Sequence, residues 1–419
     1  VERRPVTSRT RLRDGVGRSE PSSHFLGMTL HYRLRSAVRF STTALFFAAP
    51  VALNAQASGA VARDTILVAT LAPKVPLPSE AATAAITKFS FIAYGDTRGR
   101  HDGEDIQAEH HLVVESMLQT IKATAATDPI RFVLQSGDAV VNGGNARQLA
   151  VSYVPLINRL TQEGGVPYFL SVGNHDVGVS TNLNDVRRQT GLRNYFTANA
   201  NLIPAEGSPR RLNGYPTYAF GYGNSFFIAF DSDIPDDSVQ FAWVKAQLEG
   251  LNRRRFVNIV LFFHHPPFSS GPHGGATIET QALAIRNKWM PLFRQHHVRL
   301  LLAGHEHLYE HWVERYTDAT GTHRLDQIVS GGGGAPLYAY TGEPDLRAYR
   351  NAAAAEKVTL EHIARPSPDP GGNPFHYVIV HVDGAKIDVE VVGVDWGRGF
   401  QPYRSGQASM SDDKRPPQP

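Results

Sequence analysis

From residue 89 onward, short apolar runs alternate with stretches in which apolar residues recur at helical spacing. The first predicts strands and the second helices. Phe89–Tyr94 is a strand running into Gly95-Asp96. Glu109–Ala125 is a helix, with Leu112, Val113, Ser116, Met117, Thr120 and Ile121 along one face. Arg131–Gln135 is a strand ending in Gly137-Asp138, Arg147–Gln162 a helix, and Pro167–Val172 a strand ending in Gly173-Asn174-His175-Asp176. An irregular stretch from Gly178 to Pro216 follows. Thr217–Phe220 and Ser225–Asp231 then read as a hairpin turning at Gly221–Asn224. Phe241–Leu251 is helical. Phe256–Phe263 is a buried strand leading to His264-His265-Pro266-Pro267. Ile278–His296 is helical, and Val298–Leu302 is a strand leading to Gly304-His305-Glu306-His307. Two last strands, His376–Val382 and Lys386–Val394, join through Asp383-Gly384. The order predicts an α/β protein, and no internal repeat is visible.

Five of these strands end in Gly or an apolar residue followed at once by Asp, Asn or His. In α/β sheets ligands bind at the carboxyl ends of strands, where loops converge. One polar strand end is commonplace. Five of them, all with metal-ligating side chains, are hard to explain by packing. The chain has no cysteine, so thiolate sites and disulfides are excluded. A metal must sit on His, Asp, Glu or Asn, which suits zinc, iron, manganese or their mixtures.

The formal charge of +3 over 419 residues suggests a nucleic-acid partner, but its distribution does not. Residues 1–57 hold nine arginines against three acidic residues, so residues 58–419 carry a net −3. A basic footprint for nucleic acid is therefore absent from the body of the chain. The first 57 residues read as an extension followed by an export signal. Met28 is the expected start, Arg33, Arg35 and Arg39 the basic region, and Ala44–Leu53 the apolar core. Ala55-Gln56-Ala57 fits a small-x-small cleavage site. Residues 1–27 read as upstream sequence or an unstructured tail. No segment has the ~20 apolar residues of a membrane span, and the expected location is periplasmic or secreted. Residues 58–87 read as a linker with one possible edge strand, 88–395 as the catalytic domain, and 396–419 as a C-terminal tail.

The set Gly95-Asp96, Gly137-Asp138, Gly173-Asn174-His175-Asp176, His264-x-Pro266 and Gly304-His305-x-His307 resembles the calcineurin-like metallophosphoesterase superfamily, nearest its purple acid phosphatase-like bacterial branch. The resemblance covers about residues 89–393. It implies a four-layer α/β/β/α sandwich of two mixed β-sheets flanked by helices, with two metal ions at one edge. On that pattern Asp96 and His307 hold the first metal, Asp138 bridges, and Asn174, His264 and His305 hold the second. His175 is then not a ligand but a proton donor near the leaving group, with Asp176 orienting its ring. His265 lies behind the ligands or on the substrate side. Ser269–Gly274, including His273, reads equally as a substrate-facing or a solvated loop. Ser330 and the four glycines after it read as close backbone approach to the metal site, because a phosphate cradle needs a following helix and Pro336 argues against one. His110, His111, His296, His297 and His311 read as surface or packing residues.

Two positions depart from the pattern. Arg98 stands where most of the superfamily has a first-metal histidine. Val141 stands where purple acid phosphatases have their tyrosine, so a purple iron–tyrosinate enzyme is not expected. Arg98 cannot coordinate a metal. It either clamps the phosphate with its two-pronged guanidinium, or leaves His101 or Asp102 to complete the shell. The expected reaction is hydrolysis of a small-molecule phosphate ester by a water activated between the ions. Monoesters come first and cyclic or other diesters second. A catalytically weak metal- or phosphate-binding protein is the alternative of another class.

Overall fold

The central strands of one sheet show how the layers arise. β5 (Ser225–Ala229), β6 (Asn258–Phe262) and β7 (Leu300–Ala303) are almost entirely apolar and buried along their whole length. Strands buried on both faces must be covered by a layer on each side. Phe227, Ala229, Val260, Phe262, Leu300 and Leu302 face one core, whereas Phe226, Ile228, Ile259, Leu261 and Leu301 face another. That alternation is the two-residue period of a strand.

The computed structural model describes residues 67–99, 106–274 and 277–394, and the backbone of 402–409. One sheet has six strands. Its parallel half is β1 (Lys88–Tyr94), β2 (Ile130–Gln135) and β3 (Tyr168–Leu170). Its antiparallel half is β11 (Phe375–Asp383), β12 (Lys386–Val394) and β13 (Pro402–Ser409), in the order β13-β12-β11-β1-β2-β3. The second sheet has seven strands. It adds β4 (Tyr218–Tyr222), β8 (Tyr309–Asp318), β9 (Gly321–Ser330) and β10 (Thr359–Ala364), in the order β10-β8-β9-β7-β6-β5-β4. Within it β5, β6, β7 and β9 run parallel, and the other pairs are antiparallel.

Aromatic rings from both sheets fill the space between them. Phe132 of β2 lies 5.1 Å from Phe91 of β1, 5.2 Å from Phe227 of β5 and 5.6 Å from Phe220 of β4, between ring centroids. Helices close the outer faces. α1 (Ala108–Thr124) rests on the six-stranded sheet, where Thr120 Oγ1 and Tyr377 Oη of β11 lie 2.6 Å apart. On the other side, Val244 and Leu248 of α6 (Ser238–Glu249), Met290 and Phe293 of α8 (Met290–Gln295), and Leu346 of α9 (Pro344–Ala355) share a core with β5 and β6. The result is the expected α/β/β/α sandwich of two mixed sheets.

The helix expected over Arg147–Gln162 forms with a defect: α2 (Ala146–Gln148), a π turn (Leu149–Tyr153), then α3 (Val154–Gln162). Pro155 has no N–H for the regular bond, and Val154 N instead reaches back to Leu149 O. The Ile278–His296 helix repeats this. α7 (Thr280–Ala284) leads into a π turn (Ile285–Trp289) before α8, where Pro291 follows Met290.

Several elements were not foreseen. The β8–β9 hairpin hides its alternation because it buries Glu310, His311, Glu314, Asp326 and Gln327. Most of their polar atoms find internal partners, as in His311 Nε2 to Asp326 Oδ1 at 2.6 Å and Arg294 Nη1 to Glu314 Oε1 at 3.2 Å. α5 (Val186–Ala198) lies in the stretch read as irregular. It is capped by Asp185, whose Oδ1 accepts from Arg188 N at 3.0 Å, and anchored by the buried Arg188–Asp231 ion pair. α9 and β10 were also unanticipated. Residues 67–87, read as a linker, lie along the body. Thr70 N donates to Ala198 O at 2.8 Å, Lys74 N donates to Thr161 O at 3.0 Å, and Arg210 grips Glu80 through two bonds of 2.9 Å. Residues 402–409, read as part of a tail, pair with β12. The export signal lies outside the described residues.

Because Phe132 joins both sheets, Phe132→Ala is expected to destabilise the fold by about 3–5 kcal/mol, and Phe132→Leu by clearly less. Denaturant midpoints of the two variants against the parent check this.

Candidate metal centre

The parallel strands point their carboxyl ends at one edge of the sandwich, and the loops there are tied together through the backbone. Asp96 N donates to Gly137 O at 3.0 Å, Gly304 N to His264 O at 3.1 Å, and Gly333 N to Gly95 O at 2.9 Å. Asp96, Asp138 and His305 all have left-handed backbones, with φ of 58°, 54° and 70°. Side-chain-bearing residues seldom adopt that conformation without surrounding structure to hold them there. Two glycines allow the approach. A Cβ on Gly173 would lie 2.6 Å from Asp138 N, and one on Gly331 2.8 Å from Asp96 Oδ2. Gly331 thus accounts for the first glycine of the run after Ser330.

Each ligand imidazole has one nitrogen engaged and the other turned inward. His264 Nδ1 donates to Ser136 O at 3.0 Å, and His307 Nδ1 to Pro336 O at 2.7 Å. His305 Nε2 donates to Glu279 Oε2 at 2.8 Å. A metal-binding histidine needs such an outer partner to fix its tautomer. The remaining lone pairs, on His264 Nε2, His305 Nδ1 and His307 Nε2, face the centre.

Asp138 divides the inward donors into two groups. Its Oδ1 lies 3.4 Å from His264 Nε2, which is 2.9 Å from Asn174 Oδ1 and 3.1 Å from His305 Nδ1. Its Oδ2 lies 3.3 Å from Arg98 Nε, on the side of His307 and Asp96. Asp96, Asp138 and His307 present donor atoms all within 4.8 Å of one another, and His307 Nε2 is 3.5 Å from Asp96 Oδ1. His264 Nε2 and His305 Nδ1 are two acceptors facing each other at near-contact distance, which only a proton or a cation between them relieves. These residues therefore fit metal ions. Asp96, Asp138 and His307 would hold one, and Asp138, Asn174, His264 and His305 the other.

The electrostatics agree. Burial pushes the His264 and His307 imidazoles down to about 3 and about 4, so both are neutral ligands at physiological pH. Burial and the neighbouring Asp138 raise the Asp96 carboxyl well above its usual range. Burial also opposes ionisation of Asp138, but His264, His175 and Arg98 outweigh it and hold that carboxyl low.

Three expectations need correction. Asp176 does not orient His175. Its carboxylate accepts from Ala139 N and Gly173 N, both at 2.9 Å, and so pins the loop after β2 to the loop after β3. His175, in the short helix α4 (Asn174–Val177), donates from Nδ1 to Val141 O at 2.7 Å instead. His265 does not face substrate: it is fully buried, with its ring 4.3 Å from that of His305 and Nδ1 3.0 Å from Ser232 Oγ. Arg98 does not point outward to a phosphate. Its Nε donates to Asp138 and its Nη2 lies 3.5 Å from His307 Nε2, so it rests on the first-metal ligands. His101 and Asp102 lie outside the described residues.

His273 does lie at the centre, partly exposed, its ring 4.4 Å from that of His305 and its Nδ1 2.7 Å from Glu279 Oε1. Ser269 and Ser270 of the same loop are buried, with Ser269 Oγ 3.0 Å from Glu306 Oε1. Sequence reasoning missed Glu279. Burial would raise its carboxyl, but hydrogen bonds from His273 and His305 hold it below the carboxylate range. It stands at the N-cap position of α7, where an acidic residue is unremarkable in sequence.

Fold and donor set together resemble those of metallophosphoesterases. The chain is similar to the calcineurin-like phosphoesterases over about half of its length. The family model for calcineurin-like phosphoesterases matches residues 105–309, which include every proposed ligand except Asp96. Two uncharacterized proteins of Mycobacterium tuberculosis, from strains CDC 1551 / Oshkosh and ATCC 25618 / H37Rv, are each 28% identical over 159 residues. The match takes in 34% of this chain and 27% of theirs, so the chain spans little more than a quarter of these relatives' length. Among solved structures, purple acid phosphatase PPD1 from yellow lupin (Lupinus luteus) seeds superposes with a TM-score of 0.56 at 16% identity. That match covers 80% of this chain and 55% of the lupin chain. PhoD superposes with a TM-score of 0.50 at 11% identity, covering 79% and 71%. At such identities the likeness is one of fold.

Two outcomes test the centre. Glu279→Gln should weaken metal binding by about 10–100-fold, because His305 loses a charged partner. Competition with a chelating dye measures this. Arg98→His should strengthen metal retention by supplying an imidazole in place of a repelling guanidinium. Elemental analysis after dialysis against a chelator checks it.

Proposed function

We propose that the chain is an exported phosphatase that hydrolyses phosphate monoesters at a dinuclear metal centre. The observation that carries this reading is the placement of Asp138, whose two oxygens face separate groups of oriented donors. A shared carboxylate of this kind suits a pair of ions about 3.5–4 Å apart. When bound, the ions supply Lewis acidity and a nucleophilic water at neutral pH.

The protein's own residues supply the rest. His175 has its Nδ1 proton committed to Val141 O, and its Nε2 is 4.0 Å from Asp138 Oδ2 on a partly exposed side chain. From there Nε2 can hand a proton to a departing alkoxide. Arg98 rests on the first-metal ligands, and His273 stands partly exposed beside His305. The hydrogen bond to Glu279 raises the His273 pKa, so it stays charged to a higher pH than an ordinary imidazole. Two cationic groups beside the ions suit a dianionic monoester better than a monoanionic diester. Export rests on the basic, apolar and small-residue pattern of residues 28–57. Among the described residues no helix is long and apolar enough to cross a membrane.

Metal-replete protein should hold two ions at the centre and turn over a monoester faster than a diester. Elemental analysis with parallel kinetics on both esters measures this. A single ion with full activity would remove the dinuclear centre, faster diester turnover would move the substrate class, and no hydrolysis of either would favour a binding protein. His175→Ala should lower kcat by about 10²–10⁴-fold with unchanged metal content. Unchanged turnover would remove its role as proton donor.

A further inference from the structure

β7 and β9 run parallel, so each joins the same two edges of its sheet. Their carboxyl ends deliver His305 and the Ser330-Gly331 turn to the centre described above. Their amino ends lie at the opposite edge, where His297, Asp318 and His323 meet. His297 stands three residues before β7, Asp318 ends β8, and His323 lies near the start of β9. Seven residues of one continuous strand separate His323 from Ser330, roughly 23 Å at 3.3 Å per residue.

Both imidazoles turn their Nε2 atoms onto one carboxylate. His297 Nε2 is 2.8 Å from Asp318 Oδ2, and His323 Nε2 is 3.0 Å from Asp318 Oδ1. The two rings stack at 3.9 Å with 12° between their planes, and the three donor atoms lie within 4.8 Å of one another. The cluster is built and not floppy. Thr320 N donates to Asp318 Oδ1 at 2.7 Å, which pins the turn, and the Tyr316 ring lies 5.3 Å from that of His323. His297 takes a left-handed backbone, φ 51°, where α8 ends through His297 N to Arg294 O and Val298 N to Phe293 O, both 3.0 Å. All three side chains are partly open to solvent, so a cation has access.

A structural ion pair needs one imidazole for one carboxylate. Here two converge on it, which is the three-donor set of a zinc site that keeps a fourth position for water. We propose that His297, Asp318 and His323 form a further metal site, for a borderline divalent cation such as zinc, at the edge of the sheet remote from the dinuclear centre. The cation takes the place of the hydrogen bonds between each Nε2 and the carboxylate, and of the one between His323 Nε2 and Thr320 Oγ1. Each imidazole then keeps its proton on Nδ1 as the neutral tautomer, or releases one to solvent if it was charged. Its effect is to cross-link the segment before β7 to the β8–β9 turn. No part of this depends on the chain being a phosphatase.

The test is a zinc count on the full chain, stripped with a chelator and dialysed back against zinc. The parent should hold one zinc per chain more than the His297→Ala/His323→Ala double variant and more than Asp318→Asn, with monoester turnover equal in all three. Equal zinc counts would overturn the site. If the double variant does not fold, His323→Gln replaces it, since that side chain is partly exposed and glutamine keeps a hydrogen-bonding group. The same difference of one zinc is then expected, and its absence is again decisive.

Discussion

Asp96 and Asp138 leave neighbouring parallel strands and are buried with their carboxylates within 4.8 Å of each other. If both were ionised they would repel by roughly 3–4 kcal/mol at an effective dielectric of about 20, and with burial this raises the Asp96 carboxyl. Each lies beside other metal-ligating groups, and the strand ends are locked together by backbone bonds that leave neither aspartate free to retreat. A proton or a cation between them resolves that repulsion, and the left-handed turns at Asp96, Asp138 and His305 hold the donors in place. The glycines flanking these residues follow from the same crowding.

The imidazoles show how rigidly the centre is prepared. His264 and His307 are held by backbone carbonyls, which do not titrate, whereas His305 is held by the Glu279 carboxylate. The second group of donors is therefore tuned by a charged partner that also binds His273. The first group carries Arg98 against its ligands instead of an additional imidazole. A guanidinium there offsets the two carboxylates electrostatically while lending no lone pair to a metal, so the two halves of the centre differ in kind.

The sandwich supports this by separating its tasks. An aromatic core around Phe132 fastens the two sheets and leaves their strand ends free to carry polar residues. The β8–β9 hairpin takes on a second kind of stabilisation, a set of buried ion pairs and hydrogen bonds such as His311 with Asp326. Unpaired, those groups would each be costly to bury; paired, they let a strongly polar segment sit beside the apolar strand β7.

The chain alone determined the alternation of strands and helices, the glycine-acid and glycine-histidine strand ends, and which donor-type side chains those ends carry. Those features are local: a two-residue or 3.6-residue period and a short motif are written in adjacent residues. Where local patterns were blurred, the reading failed. The hairpin at 309–330 buries charge, α5 has few apolar residues, and the prolines at 155 and 291 convert single helices into helices with π turns. Only the tertiary structure decided which partner each side chain takes. It gave Asp176 to three backbone amides and not to His175, buried His265, laid Arg98 on Asp138 and brought Glu279 to His305. It also joined His297 to His323 through Asp318, although 26 positions separate the two histidines. Those pairings depend on how distant segments meet, and no local period in the sequence records that.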